Sequence, residues 1–263
     1  MNPSDHGRFC WYDLMTTDPI GSRRFYAELF GWHTETVPMG EHQYEMLYQG
    51  DRPLGGIVAM DAKEGIPTYW IPYVAVSDIA RTCDLALGLG AVVCVPPTDL
   101  GPGIFAVVTD PQGGVFSPWQ SKQELPPAPG KSDLGLFCWS ECLSTDANSG
   151  AEFYRQLFGW KVEDRPMEIG GRDTIYRLFY QNDHHHAGIL DLPAESVSQG
   201  ARTHWLNYVS VEDVDAAADK ASALGAALLC TATDIPRTGR FCVIQDPQGG
   251  MISLFRHFEK ESE

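Results

Sequence analysis

The 263-residue chain is long enough for one large domain or two ordinary ones, and its 43% hydrophobic content can fill a sizeable core. Its 35 acidic against 19 basic residues leave a formal charge of −16, which argues against nucleic acid and against an anionic membrane surface as partners. No stretch approaches the ~18 apolar residues of a membrane span, and Met1 to Arg8 is polar and unlike a secretory leader, so a cytoplasmic protein is expected. Seven scattered cysteines (Cys10, Cys83, Cys94, Cys138, Cys142, Cys230 and Cys242), with no CxxC pair, read as free thiols rather than as a disulfide framework.

Residues 9–16 alternate as a strand. Asp18 is placed to cap a helix over 19–30, which Gly31 ends in the left-handed conformation. Strands are expected over 32–39, 43–49 and 54–60, and again over 70–76. Ser77 or Asp78 caps a helix of roughly 79–89, closed by Gly88 or Gly90. Strands near 91–97, 103–109 and 114–120 follow, with Asp110-Pro111-Gln112-Gly113-Gly114 as the turn between the last two. Residues 123–133, with Pro126, Pro127, Pro129 and Gly130, have the composition of a linker. Beyond it the pattern recurs: strand 137–143, helix 147–158, strands to 192, strand 205–211, helix 212–224 and strands to 257.

The recurrence is visible residue by residue. Phe9-Cys10-Trp11 returns as Phe137-Cys138-Trp139, Thr17-Asp18 as Thr145-Asp146, and Leu29-Phe30-Gly31-Trp32 as Leu157-Phe158-Gly159-Trp160, all at an offset of 128 (139 − 11). Trp70 and Tyr73 meet Trp205 and Tyr208 at 135, and the Asp-Pro-Gln-Gly-Gly turn returns at 246–250, an offset of 136, which implies an insertion in the middle of the second copy. Each copy therefore holds two strand–helix–three-strand modules, with domains expected over 1–122 and 134–263.

This module order, the Asp-capped helix carrying Phe-Tyr and Phe-Gly-Trp, the Gly90-Ala91 and Gly225-Ala226 pairs, and the two DPQGG turns together resemble the vicinal oxygen chelate superfamily of glyoxalases, bleomycin-resistance proteins and extradiol dioxygenases. The resemblance covers about residues 8–120 and 136–257. It implies an α+β fold of two tandem domains, each a pair of βαβββ modules forming a cupped sheet that holds a ligand or a metal. Carried over by position, the family's metal ligands fall on Trp11, Ile71 and Ser117 in the first copy and on Trp139, Leu206 and Ser253 in the second, with a fourth position near Tyr44–Met46 and Tyr176–Leu178. Trp, Ile and Leu offer a divalent ion no donor. The expectation is no metal and no other cofactor.

Strand alternation then decides what lines the cups. The inward sets are Trp11, Asp13 and Met15; Trp139, Glu141 and Leu143; Ile71, Tyr73 and Ala75; Leu206, Tyr208 and Ser210; Val115, Ser117 and Trp119; and Met251, Ser253 and Phe255. Aromatic walls with a few polar groups are the lining of small-molecule pockets. Asp13 and Glu141 are candidate general acids or bases, set against carboxylates merely satisfied by a neighbour. Tyr73 and Tyr208 are candidate donors to a carbonyl, set against core tyrosines. Ser117, Ser253, Trp119, Phe255 and a rim histidine, His204, complete the candidate ligand contacts. Trp70, Trp205, Phe25-Tyr26 and Phe153-Tyr154 read as packing, Asp110 and Asp246 as turn residues, and His184-His185-His186 as a solvated loop.

Three functions stay open on this reading. One is a protein binding a small apolar or planar metabolite without metal. The second is a metal-independent lyase or isomerase using Asp13 or Glu141. The third is a metal-dependent glyoxalase or dioxygenase with unrecognised ligands. A small molecule is the expected partner of a monomer or homodimer.

Overall fold

The computed structural model describes residues 5–39, 42–130, 133–169, 172–181 and 184–258. The first copy runs β1 (Phe9–Thr16), α1 (Pro19–Phe30), β2 (His33–Met39), β3 (His42–Gln49), β4 (Arg52–Ala59), β5 (Tyr69–Ala75), α2 (Ile79–Gly88), β6 (Val92–Asp99), β7 (Gly103–Thr109) and β8 (Val115–Ser121). The second runs β9 (Phe137–Ser144), α3 (Ala147–Phe158), β10 (Lys161–Ile169), β11 (Arg172–Gln181), β12 (His184–Asp191), α4 (Ala194–Ser198), β13 (His204–Ser210), α5 (Val214–Ala223), β14 (Ala227–Ile235), β15 (Gly239–Gln245) and β16 (Met251–His257). Strand order is β2-β3-β4-β1-β5-β8-β7-β6 in one eight-stranded sheet and β10-β11-β12-β9-β13-β16-β15-β14 in the other. The class is α+β, with four βαβββ modules, as expected. No helix among the described residues is long and apolar enough to cross a membrane.

Helix boundaries follow local chemistry. Asp18 accepts the amide of Gly21 at 2.9 Å, and Gly31 ends α1 at φ +76° with its N–H on Ala27 O. Ser22, Phe25, Tyr26 and Leu29 are the buried face, at the i, i+3, i+4, i+7 spacing of a helix against a sheet. Asp78 caps α2 through the Arg81 amide at 3.0 Å. Asp78→Ala is expected to cost about 1 kcal/mol in denaturant unfolding.

The difference in length between the copies is spread over three places rather than confined to one. Tyr44 and Gly56 correspond to Tyr176 and Gly188 at an offset of 132 (176 − 44), and the four added residues lengthen the β10–β11 hairpin by two in each strand. Three more enter between β12 and β13, where α4 stands opposite a 3-10 turn at Ala62–Glu64. The last enters between β14 and β15 (239 − 103 = 136). Neither α4 nor the 3-10 turn was expected from the sequence, since both are too short to show periodicity.

Packing gathers the chain into two compact units, and each draws on both copies. One comprises Met1–Trp11, Ile71–Pro127 and Ser140–Leu206. Its core joins Val74, Ala106, Val108 and Phe116 of the first copy to Cys142, Tyr154, Phe158, Trp160 and Ile189 of the second. Phe116 meets the Tyr154 and Phe158 rings at centroid distances of 5.6 and 5.7 Å. The other unit comprises Tyr12–Trp70, Ala128–Trp139 and Asn207–Glu263. There Phe137 stacks on Tyr12 at 3.9 Å and packs against Trp32 and Trp70, each at 5.4 Å.

Candidate functional site

Within the second unit, β1 carries Asp13, only 4% exposed, and pairs in parallel with β4 so that Asp13 lies opposite Gly56. From β3, the Tyr44 ring lies over Gly56: a Cβ there would stand 2.1 Å from the phenol oxygen. Only glycine leaves room for that approach. The Tyr44 hydroxyl donates to Asp13 Oδ1 at 2.5 Å. Also in this unit, Tyr208 of β13 is in register with Ser253 of β16 and meets the Phe255 ring edge-on at 5.9 Å. Phe255 in turn lies over Gly239, where a Cβ would stand 2.6 Å from its Cζ. Ser253 Oγ donates to Cys242 O at 3.2 Å. Trp139 is half-buried.

Within the first unit the same arrangements recur with changed residues. Glu141 of β9, 8% exposed, lies opposite Gly188 of β12, and Tyr176 of β11 covers Gly188 as Tyr44 covers Gly56. Tyr73 is in register with Ser117, and its ring meets Trp119 edge-on at 6.3 Å. Trp119 lies over Gly103, and Ser117 Oγ donates to Ala106 O at 2.6 Å. Trp11 is half-buried, while Ile71 and, likewise, Leu206 are buried. His204 is half-buried with Nδ1 at 2.8 Å from Arg202 O, and burial holds its pKa below the usual imidazole value, so it is neutral at pH 7.

Tyr44 and Tyr176 are the functional candidates that sequence reasoning did not single out. The available signal was that a Tyr and a Gly keep one common offset of 132 while the flanking offsets change. Their neighbours Glu45 and Arg177, considered for the fourth ligand position, point the other way. Glu45 pairs with Arg23 of α1 at 3.5 Å, and Arg177 donates to Asn148 of α3. The histidine tract opens β12 rather than forming a loop: His186 packs against Trp160, and His185 lies 3.9 Å from Glu163. All seven cysteines are free, and burial first of all pushes Cys10 and Cys138 up to about 12, so neither is a thiolate nucleophile.

A profile of the glyoxalase/bleomycin resistance protein/dioxygenase superfamily matches residues 142–254. CFP32 of Mycobacterium tuberculosis, whose name assigns it provisionally as a glyoxylase, is 33% identical over 251 residues, 94% of this chain and 93% of that protein. The chain belongs to the glyoxalase/bleomycin resistance protein/dioxygenase superfamily. The anthracycline biosynthesis protein DauV of Streptomyces sp. strain C5 is 28% identical over 268 residues, 94% of this chain and 92% of that protein. Among solved structures, the Mn(II)-bound glyoxalase of Novosphingobium aromaticivorans superposes with a TM-score of 0.65 at 14% identity, over 97% of this chain and 83% of that one, which shows a shared fold.

Membership raises the question of a metal. At the positions to which the superfamily resemblance assigns ligands stand two indoles, two aliphatic chains and two serines whose hydroxyls are engaged by backbone carbonyls. Among the described residues, no three His, Cys, Asp or Glu side chains gather closely enough to hold an ion. This donor set does not fit a divalent cation.

Proposed function

We propose that this superfamily member binds a small, planar, largely apolar molecule without the usual metal. The observation that carries the reading is the hydrogen-bonded Asp13–Tyr44 pair; in the other unit Glu141 and Tyr176 take the corresponding places about Gly188. The Asp13–Tyr44 pair supplies a polar anchor, and each unit also carries an edge-on pair of rings, Tyr208 with Phe255 in the unit of Asp13 and Tyr73 with Trp119 in the unit of Glu141. The donor set at the inherited ligand positions supports the absence of metal. The DauV likeness supports a polycyclic ligand, since that relative is named for anthracycline biosynthesis.

Titrating tag-free protein with a neutral anthraquinone tests this through tryptophan quenching. Binding on the order of 0.1 mM or tighter is expected for a ligand of that size. Elemental analysis of the same sample is expected to show no stoichiometric transition metal. A stoichiometric ion whose removal abolishes binding would overturn the reading.

The same carboxylate–tyrosine pair favours a second reading, a metal-independent lyase or isomerase in which Asp13 or Glu141 carries a proton. Turnover lost with affinity kept in Asp13→Asn and Glu141→Gln would select it over simple binding.

A further inference from the structure

We infer that a groove between α1 and α5 binds a small zwitterion of dipeptide length with apolar side chains. The site is separate from the one above: its lining includes neither Asp13 nor Tyr44.

Within the unit that holds Tyr12–Trp70 and Asn207–Glu263, these two helices and the turn at Pro247-Gln248 enclose about 340 Å³. That volume falls in the range of small-ligand pockets, ~300–1,000 Å³. Phe25, Leu224 and Pro247 supply apolar walls, while Arg24, Glu28 and Gln248 supply the polar groups. The base is fixed. Phe25 is buried and meets the Tyr26 ring edge-on at 5.1 Å. Asp246 holds the turn through the Gln248 amide and holds α1 through the Tyr26 hydroxyl, so one carboxylate ties helix to turn. Gly21 leaves room for the Gln248 side chain, since a Cβ there would stand 2.5 Å from its Nε2. A preformed base lowers the ordering cost of binding.

Arg24 and Glu28 are exposed and stand about one turn apart on α1. Among the described residues neither has an ion-pair or hydrogen-bond partner. With Arg24 on the N-terminal side of Glu28, their order is the less favourable one for pairing along a helix. The corresponding residues of α3, at the offset of 128, are engaged by neighbours: Glu152 takes Arg155 at 2.6 and 2.7 Å and Gln156 at 2.8 Å. The open pair of charges therefore belongs to α1. Four residues of helix rise ~6 Å, and two residues of extended chain span ~7 Å. A dipeptide thus reaches from one charge to the other, with its carboxylate on Arg24 and its ammonium on Glu28. A single amino acid, at ~3.5 Å, falls short. Gln248 donates through Nε2 to Asp18 Oδ2 at 3.3 Å, which orients its amide, and its Oε1 is buried without a donor. The peptide N–H supplies that donor. A zwitterion is neutral overall, so the formal charge of −16 does not oppose it.

The test is a nuclear magnetic resonance titration of the full chain with alanyl-phenylalanine, followed at the amides of Gly21, Gly225 and Gln248. Saturating shifts with a Kd of about 1 mM are expected for a ligand of this size in an open groove. N-acetyl-alanyl-phenylalanine amide keeps the apolar groups and removes both charges. It is expected to bind at least about tenfold more weakly, the size of one net charge-assisted hydrogen bond. Phenylalanine, which meets only one of the two charges, is expected to bind about fivefold more weakly. Arg24→Gln and Glu28→Gln keep good helix formers at exposed positions, so both are expected to melt as the wild type does. Each is expected to weaken the dipeptide about tenfold. No movement of the three amides at about 20 mM dipeptide, far above the expected Kd, would overturn the inference. So would equal binding of the blocked peptide or of phenylalanine, or an unchanged affinity in either variant.

Discussion

Phe116→Ala is expected to destabilise the protein by about 3–5 kcal/mol in denaturant unfolding. Phe116 is fully buried at the middle of the unit that joins Ile71–Pro127 to Ser140–Leu206. Its ring meets Phe153, Tyr154 and Phe158 of α3 edge-on at 6.4, 5.6 and 5.7 Å. A strand of the first copy thus packs on a helix of the second, and truncation leaves a cavity that α3 is held too firmly to fill. Phe116→Leu keeps most of the volume and is expected to cost about 1.5 kcal/mol or less. A loss below about 1 kcal/mol for the alanine variant would mean that β8 and α3 do not share a core, because such a truncation is mild only at a site that is exposed or able to collapse.

That joint core also marks where sequence reading stopped. The ends of α1 and α3 were legible because they are local: Asp18 and Asp146 bond amides three residues on, and Gly31 and Gly159 supply the left-handed turn. The repeat was legible because Phe-Gly-Trp and Asp-Pro-Gln-Gly-Gly each occur twice. Repetition identifies equivalent modules, however, and says nothing about which module packs on which. The contact of Phe116 with α3 depends on residues far apart in sequence, as does the bond from Tyr26 to Asp246. Tyr44 was missed for the same reason. Its partnership with Asp13 depends on the register of β1 with β4 and of β3 with β4, and a β-bulge between Leu47 and Tyr48 shifts the latter. That Asp13 shares a strand face with Trp11, and Glu141 with Trp139, follows from alternation alone, since a period of two within one strand needs no knowledge of its neighbours. Asp110 and Asp246 were read as turn residues, which they are, but the turn accounts for only one of their two oxygens.

The other oxygen gives the second large effect. Asp246 accepts the amides of Gln248 and Gly250 through Oδ1, each at 2.8 Å, and the Tyr26 hydroxyl through Oδ2 at 2.7 Å. Trp70 Nε1 donates to the same Tyr26 oxygen at 3.0 Å. The other unit repeats the chain as Trp205 to Tyr154 to Asp110, at 2.9 and 2.6 Å. Asp246→Ala removes three acceptor contacts at once and is expected to cost about 3 kcal/mol, because buried donors left unpaired are penalised by their full desolvation. In a cycle with Tyr26→Phe, a coupling of about 1–2 kcal/mol is expected. The pH dependence has a definite sign. Burial raises the Asp246 carboxyl above its ordinary 3.8, outweighing the hydrogen bonds from Tyr26 and the turn amides that lower it. The folded state therefore holds this proton more firmly than the unfolded chain does. Its contribution to stability is full below 3.8 and is lost as pH rises through the elevated folded value. Asp246→Asn cannot titrate, so that part of the fall in stability with rising pH should disappear from its profile while the wild type retains it. Unfolding free energies measured for both proteins from pH 4 to 7 decide the matter, and parallel profiles would show that Asp246 ionises as freely in the fold as in the unfolded chain.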